Sequence, residues 1–372
     1  MPPRPPVCRT DLPYNPTRSA CSCRAAQLGT AERLCAACSF LPLAVKREKA
    51  HDRSPLAALG PHGALPMTKL LAGLEAGGTK FLCAMGTDDG ELRVQARLPT
   101  TSPAETTEKA IRFFQEQQAT FGEAAALGIA AFGPLDLDPR SPFYGHITST
   151  PKPGWADTDL LGSMAQAMNV PVAFDTDVNA AALAEWRWGS AQGLDSVVYM
   201  TIGTGIGGGG LLNGRPVHGL VHPEMGHILV PHDRGMDSFP GCCPFHGDCL
   251  EGLASGPAIE KRWHARPESL PQDHPAWRLE AHYLAVGLTT VICTLSPRRI
   301  ILGGGVMKQN HLFPMIRADV VSLLNGYVQA EAILRGIDEY IVHPGLGDQA
   351  GIKGALALAC SAEQGHVAPG SR

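Results

Sequence analysis

The sequence has little net charge and few aromatic side chains. Its 372 residues include 31 Lys and Arg against 35 Asp and Glu, and aromatic residues make up 6%. A formal net charge of −4 gives no general attraction to nucleic acid or to an anionic membrane. Apolar runs such as 124–132 are far shorter than the ~20 residues that span a bilayer. We therefore expect no nucleic-acid partner and no membrane partner, and a length of about two domains.

The chain also lacks the signs of a secreted protein. Its 11 cysteines are an odd number and are clustered, so they do not form a disulfide framework. No signal-peptide pattern opens the chain. These absences predict a reducing, cytoplasmic setting.

Residues 1–66 differ from the rest of the chain. They contain ten prolines, five cysteines and nine Lys or Arg, with no apolar period of a helix or strand. Such a segment buries too little surface to offset its chain entropy. We predict a disordered N-terminal extension, with Met67 as the natural start. A transit peptide is the alternative, but the prolines oppose an amphipathic helix.

Regular patterns begin at residue 69 and occur twice. The first set predicts strands at 69–74, 80–85 and 92–98, a helix at 103–121 capped by Ser102, strands at 125–131 and 170–174, and a helix at 180–188. The second predicts strands at 196–202 and 210–212, helices at 276–295, 311–324 and 348–359, and strands at 299–302 and 340–343. This repetition indicates an internal duplication, with two similar lobes around a cleft.

Each half opens with a glycine-rich turn, at 75–80 and at 203–210. Glycine permits positive φ and lets backbone N–H groups approach phosphate oxygens, and Thr79 and Thr204 add hydroxyl donors. Neither turn is a Walker A loop. One such turn alone is more often an ordinary hairpin, but the paired occurrence favours phosphate binding. The glycines at 303–305 fit a strand–helix junction and a nucleoside contact equally well.

A carboxylate pair, Asp175 and Asp177, follows a predicted buried strand. Phosphoryl transfer needs a base near the attacking hydroxyl, and we predict Asp177 in that role. Aspartate at such a junction is commonly a helix cap, and Asp175 is better placed to be one.

The segment 222–251 predicts a metal site. Cys243, His246 and Cys249 form a C-x₂-H-x₂-C pattern, and His227 can supply a fourth ligand to Zn²⁺. Four protein ligands leave no open position, which indicates a structural metal. Cys242 could substitute as a ligand. The ion would hold the carboxylates Glu224 and Glu251 beside a polar pocket.

Together these motifs resemble the ROK family of sugar kinases and repressors, and more narrowly its fructokinase branch. The resemblance covers about residues 69–360. It is carried by these segments: 73–80 (GLEAGGTK), 133–136 (GPLD), 150–155 (TPKPGW), 177–181 (DVNAA), 224–227 (EMGH) and 243–249 (CPFHGDC). It implies an α/β, actin/hexokinase-like (ribonuclease-H-like) duplicated two-lobe fold with an inserted zinc loop. Residues 67–192 would form the N-terminal lobe, completed by a C-terminal helix at 348–360, and residues 193–347 the C-terminal lobe.

The resemblance also implies roles for individual residues. Asp177 matches the catalytic base, and the sugar-side positions are Asn179, Glu224, His227 and Glu251. The ATP-side positions are Gly77, Gly78, Thr79, Lys80, Gly203, Thr204, Gly205, Ser255, Gly256, Gly303, Gly304 and Gly305. Mg²⁺ would accompany ATP, and Zn²⁺ would be structural. The chain departs from many family members at three positions. It has Glu75 where many members have Asp, and Thr176 where many have Asn. The third departure is the use of a histidine, His246, as a zinc ligand.

The resulting hypothesis is ATP-dependent phosphorylation of fructose to fructose 6-phosphate. A glucokinase or mannokinase of the same family is the alternative enzyme. A sugar-responsive repressor would need an N-terminal helix-turn-helix, which residues 1–66 are too rich in proline to form. By analogy with the family, a homodimer is expected.

Overall fold

The computed structural model describes residues 68–364, so the predictions for residues 1–66 lie outside the described part. The strands are β1 Leu70–Ala76, β2 Lys80–Thr87, β3 Leu92–Pro99, β4 Leu127–Ala131, β5 His146–Ile147, β6 Thr158–Asp159, β7 Val172–Thr176, β8 Val197–Ile202, β9 Ile206–Leu212, β10 Arg215–Pro216, β11 Arg299–Gly303 and β12 Ile341–Val342. The helices are α1 Pro103–Phe121, α2 Leu160–Met168, α3 Asp177–Trp188, α4 Leu250–Ala254, α5 Gly256–Trp263, α6 Ala276–Leu295, α7 Leu312–Leu324, α8 Glu331–Leu334, α9 Ile337–Tyr340 and α10 Ala350–Glu363.

Two five-stranded sheets repeat one topology. The first has the order β3-β2-β1-β4-β7 and the second the order β10-β9-β8-β11-β12. In each, three antiparallel strands lead into two strands that pair in parallel. The predicted duplication is therefore confirmed at the level of strand order. In the described part of the chain, none of the helices has the length and apolar character needed to cross a bilayer.

The helices α3 and α10 pack against each other where the two halves meet. At Gly354 a Cβ atom would lie 2.5 Å from the backbone of Ala180, so only glycine allows this close approach. On its other side α10 packs on the first sheet, where a Cβ at Gly128 would lie 1.9 Å from the carbonyl oxygen of Ala355. The last helix of the chain thus completes the core of the first sheet.

Both chain connections between the sheets meet at one buried carboxylate. Glu185 of α3 is 0% exposed. Its Oε2 accepts hydrogen bonds from the backbone N–H of Ser190 (2.7 Å) and of Gly345 (2.9 Å), and its Oε1 accepts one from Leu346 (2.9 Å). Charge-assisted bonds of this kind are stronger than neutral ones, so Glu185 fixes the point where the chain passes between the halves.

Two local predictions were wrong. The helix α3 begins at Asp177, and the residue that caps it is Thr176, whose Oγ1 accepts a hydrogen bond from the N–H of Asn179 (3.1 Å), so Asp175 is not the cap. Glycines 207–209, predicted in the turn, lie inside β9. They allow α3 to approach this strand, because a Cβ at Gly209 would lie 2.3 Å from the Asn179 side chain. The cap and start of α1 agree with the prediction.

Candidate active site

A cleft of about 2150 Å³ lies between the two halves. The predicted residues that line it come from both glycine turns, from the start of α3 and from the zinc loop. They are Gly77, Gly78, Thr79, Lys80, Asp177, Gly203, Thr204, Gly205, Glu224, His227, Cys243, His246, Glu251, Ser255, Gly304 and Gly305. Most of the predicted site is therefore brought together in one cavity.

The start of α3 places Asp177 in the wall of the cleft. Its Oδ1 accepts a hydrogen bond from the N–H of Val178 (2.9 Å), which fixes the carboxylate. Burial raises the pKa of Asp177 to about 6. Glu75, at the end of β1, has a pKa raised to about 7 by burial and by the charge of Asp177, against the opposing effect of Lys80. A carboxylate with a pKa near neutrality, held by one backbone bond, is suited to accept a proton.

A second acidic group faces the same cavity from the zinc side. Desolvation in the cleft raises the pKa of Glu224 to about 7, and the charges of Glu251 and Asp177 add to the effect. The side chain of Glu224 is nevertheless 40% exposed. Carboxylates that repel one another in this way are ready to accept hydrogen bonds from a polyhydroxyl ligand.

Asn179 was predicted from the sequence to contact the sugar, but its side chain is buried inside the protein. It is 1% exposed, its Nδ2 donates to Asp175 Oδ1 (2.9 Å), and its Oδ1 accepts the N–H of Gly210 (2.9 Å). Both ends of the amide are used inside the protein because α3 packs closely on β9. This is a correction: Asn179 orients Asp175 and joins α3 to β9.

The predicted zinc ligands form one cluster. Their ligand atoms, from His227, Cys243, His246 and Cys249, all lie within 4.8 Å of one another. The sulfur of Cys243 is 3.6 Å from His227 Nδ1 and 3.7 Å from His246 Nδ1, and the sulfur of Cys249 is 3.6 Å from His227 Nδ1. Tetrahedral Zn²⁺ with ordinary Zn–S and Zn–N bonds requires ligand–ligand distances of about 3.5 Å. The donor set and its spacing therefore fit zinc. The sulfur of Cys242 is not among the clustered ligand atoms.

Polar side chains hydrogen-bond the loop that carries the predicted zinc ligands (the zinc loop, residues 222–251) to the helices beside it. His232 Nδ1 lies 3.0 Å from Asp248 Oδ2, and its Nε2 lies 2.9 Å from the carbonyl oxygen of Asp237. The Asp237 carboxylate accepts hydrogen bonds from Arg262 (3.2 Å) and from the hydroxyl of Tyr283 (2.8 Å). These partners connect the loop to α5 and α6, so the cluster is built on a rigid base.

The two glycine turns differ in how they are held. In the first, the N–H of Gly77 donates to the carbonyl oxygen of Lys80 (3.0 Å), and no atom lies within 4 Å of a Cβ built at Gly78. In the second, the N–H of Gly203 donates to the carbonyl oxygen of Gly205 (2.9 Å). The first turn has free space above it, as a ligand requires.

Two residues behind the second turn have structural partners. The N–H of Gly256 donates to the carbonyl oxygen of Gly203 (2.8 Å), and the hydroxyl of Ser255 caps α5 by accepting from the N–H of Ala258 (3.3 Å). In the third glycine run, Gly303 packs against Tyr199, with a Cβ only 2.3 Å from its hydroxyl, whereas Gly305 has no atom within 4 Å. The open position in this run is therefore Gly305.

Two histidines that make contacts in this site, His218 and His222, were given no role from the sequence. The Nε2 of His222 accepts the N–H of Leu135 (2.9 Å), a contact between the two halves of the chain. The Nε2 of His218 lies 2.9 Å from Asp175 Oδ2. Neither pairing could be read from the sequence, since the partners are 87 and 43 residues apart. The available signal was the placement of both histidines just before Glu224.

Two similar lobes, a cleft between them and paired glycine turns define an actin-like two-lobe kinase fold. The ROK family model matches residues 71–362, and the chain belongs to the ROK family. A fructokinase from Zymomonas mobilis is 46% identical over 301 residues, 79% of this chain and 98% of that protein. A fructokinase from Pediococcus pentosaceus is 42% identical over 293 residues, again 79% and 98%.

A solved structure supports the same assignment. The ROK family glucokinase from Streptomyces griseus, in complex with glucose and AMPPNP, has a TM-score of 0.62 and 26% identity. It matches 78% of this chain and 99% of its own. The recognised family and the predicted fold class are thus confirmed.

Proposed function

We propose that this protein is a fructokinase that transfers the γ-phosphoryl group of ATP to the 6-hydroxyl of fructose. The observation that carries this proposal is the meeting of Asp177, Glu224 and Glu251 with two glycine turns in one cleft. Fructose is favoured over glucose because the two named fructokinases are 46% and 42% identical to this chain and the glucokinase 26%. ATP is favoured by the ATP analogue in that glucokinase's complex.

In the proposed reaction, Asp177 accepts the proton of the sugar's primary hydroxyl. The hydroxyl oxygen forms a bond to the γ-phosphorus while the bond to the oxygen between the β- and γ-phosphorus atoms breaks, and ADP leaves. Backbone N–H groups of the turns at Gly77–Gly78 and Gly203–Gly205 would stabilise the charge on the phosphates. Glu224, His227 and Glu251 would bind the other sugar hydroxyls. Closure of the cleft would exclude water and limit hydrolysis of ATP.

Two metal ions belong to this proposal. Zn²⁺ would be held by His227, Cys243, His246 and Cys249, and would supply rigidity to the loop that carries Glu224. Mg²⁺ would enter with ATP and neutralise charge on its phosphates. The residue that would fit a cation there is Glu75, which lines the same cleft as Asp177. A cytoplasmic location and a homodimer stay predictions.

A hexose panel tests the function. Purified protein with ATP and Mg²⁺ is assayed for ADP release with fructose, glucose and mannose, and the sugar phosphate is identified by NMR. We expect kcat/KM for fructose to exceed that for either aldose at least roughly tenfold, since a site that binds hydroxyls discriminates strongly between their arrangements. A preference for glucose or mannose would move the assignment to the alternative enzyme.

A further inference from the structure

Asp175 is a buried carboxylate that the phosphoryl-transfer scheme does not use. Its side chain is 4% exposed and accepts three hydrogen bonds. Two come from its own segment, the N–H of Thr176 (2.7 Å) and the Nδ2 of Asn179 (2.9 Å), both to Oδ1. The third comes from His218, whose Nε2 lies 2.9 Å from Oδ2. The loop after β10 is thereby attached to the start of α3, beside Asp177.

The Asp175 carboxylate fixes the tautomer of His218. Because a carboxylate only accepts, Nε2 must carry the proton, and Nδ1 becomes the second hydrogen-bonding atom of the ring. Within residues 68–364, Nδ1 has no hydrogen-bond partner. The side chain is 33% exposed and lines the same cleft as Asp177 and Glu224.

The other two histidines of this region are used differently. Both ring nitrogens of His232 have partners inside the zinc loop. His222 is 5% exposed, and its Nε2 accepts the N–H of Leu135. These two rings serve the structure. His218 alone among the three combines a fixed ring, a free nitrogen and a place in the wall of the cleft.

We propose that His218 is a further sugar-binding residue, oriented by Asp175, and that its Nδ1 makes a hydrogen bond with one hydroxyl group of the hexose. Asp175 is then a positioning residue, which acts through the ring. This inference rests on the proposed function, because it places the sugar between Asp177 and the zinc loop. A directed contact of this kind discriminates among hexoses by the arrangement of their hydroxyl groups.

The test pairs variants of His218 with monodeoxy analogues of fructose. His218→Ala should raise KM for fructose roughly tenfold, which is the loss of about one hydrogen bond, while KM for ATP stays near that of the wild type. His218→Gln keeps an N–H donor for Asp175 but has no ring nitrogen in the place of Nδ1. Its KM for fructose should therefore be close to that of His218→Ala, with the fold preserved. Asp175→Asn should raise KM for fructose in the same direction.

The analogues separate a contact from a merely structural role. For the wild type, removal of one particular hydroxyl should raise KM roughly tenfold, and in His218→Ala the same removal should have almost no further effect. His282→Ala, on α6 and outside the cleft, is the matched control and should behave as the wild type. A fructose KM within twofold of the wild type in His218→Ala overturns the inference. So does an equal loss with every analogue.

The proposed function fails separately, in the wild type. If the wild type prefers another hexose, fructose is not the substrate, and the same cycle is run with deoxy forms of the preferred sugar. The assignment of His218 then stands or falls on whether one hydroxyl loses its effect in the variant.

Discussion

The two halves of the molecule share a topology but not a chemistry. In the first sheet the fifth strand, β7, runs directly into α3 and presents Asp177 to the cleft. In the second, β12 ends at Val342 and reaches α10 through His343, Pro344 and a 3₁₀ turn at Gly347–Gln349. Duplication therefore explains the two similar sheets, whereas the proposed base, Asp177, belongs to the first half.

The glycine turns show the same division. The first turn is bare at Gly78. The second is tied to the zinc side, because Glu251 Oε2 accepts the N–H of Ile206 (2.9 Å). The first turn therefore has open space at Gly78, whereas the second is hydrogen-bonded to a residue of α4 next to the Cys and His cluster. The predictions below test this asymmetry.

The largest effect is expected at the start of α3. Asp177→Asn should lower kcat roughly 10³-fold or more, since the amide cannot accept the hydroxyl proton, with KM for fructose changed less than about threefold. The equivalent end of the other half offers Asp348→Asn as the control. Asp348 is exposed and pairs with Lys308 (2.9 Å), and exposed pairs contribute little.

Steady-state kinetics of the two variants decide the matter. Comparable losses of kcat in both would mean that the two junctions are chemically equivalent, and near-normal turnover in Asp177→Asn would remove the proposed base.

Loss of zinc should affect the second half selectively. Cys249→Ser should reduce the metal content from about one zinc per chain to none and lower the melting temperature by roughly 5 °C or more. Hydrogen exchange should increase in residues 222–254 and around Ile206, while the hairpin of β1 and β2 keeps its protection, since only the second turn is bonded to Glu251. Cys293→Ser, at an exposed free cysteine, is the control. A zinc-free protein with full activity would contradict the structural role.

Features that depend on residues close together in the chain could be predicted from the sequence. The helix at Pro103–Phe121 was predicted with its cap, because Ser102, Pro103 and Glu105 are local signals. The Cys and His cluster could be predicted because three of its members lie within seven residues. Such features depend on neighbours in the chain, which the sequence displays directly.

The remaining features depend on partners distant in the chain. Asn179 was predicted as a sugar contact, but its surroundings come from β9, which approaches closely because residues 207–210 of that strand are glycines. The role of Asp175 depends on His218, and that of Glu185 on Gly345 and Leu346. None of these pairings has a local pattern, so they follow only from the three-dimensional structure.

Two glycine substitutions compare the two turns, with moderate effects expected on stability and on KM for ATP. A Cβ at Gly205 would lie 2.6 Å from Glu251 Oε2, so Gly205→Ala should displace Glu251, break its bond to Ile206 and reduce the free energy of unfolding by about 1–2 kcal/mol. Gly78→Ala meets no atom and should leave stability unchanged, but it should raise KM for ATP if phosphates occupy that space. Denaturant unfolding and ATP titration measure both. Equal stability of the two variants would mean that the second turn is not tied to Glu251.

The last prediction concerns the pH-dependent stability of the same Asp177→Asn variant. Burial raises the pKa of Asp177 from 3.8 to about 6, so the native state binds this proton more tightly than the unfolded chain does. Below pH about 4 Asp177 is protonated in both the native and the unfolded state and does not change the stability. Between pH about 4 and 6 the carboxyl ionises in the unfolded chain but keeps its proton in the native state, so stability falls as pH rises. Above about pH 6 both states are ionised, and the total loss levels off at roughly 1–3 kcal/mol.

Asn at position 177 carries no charge and can still accept the N–H of Val178. We therefore expect Asp177→Asn to be more stable than the wild type at pH 8, with the difference vanishing toward pH 4. The complementary expectation is that wild-type kcat falls as pH drops below about 6, because the base becomes protonated. Asp348→Asn should show neither trend, since Asp348 is exposed. A stability difference for Asp177→Asn that did not depend on pH would show that the ionised carboxylate is not disfavoured by burial, and the contrast between the two halves would then reduce to geometry alone.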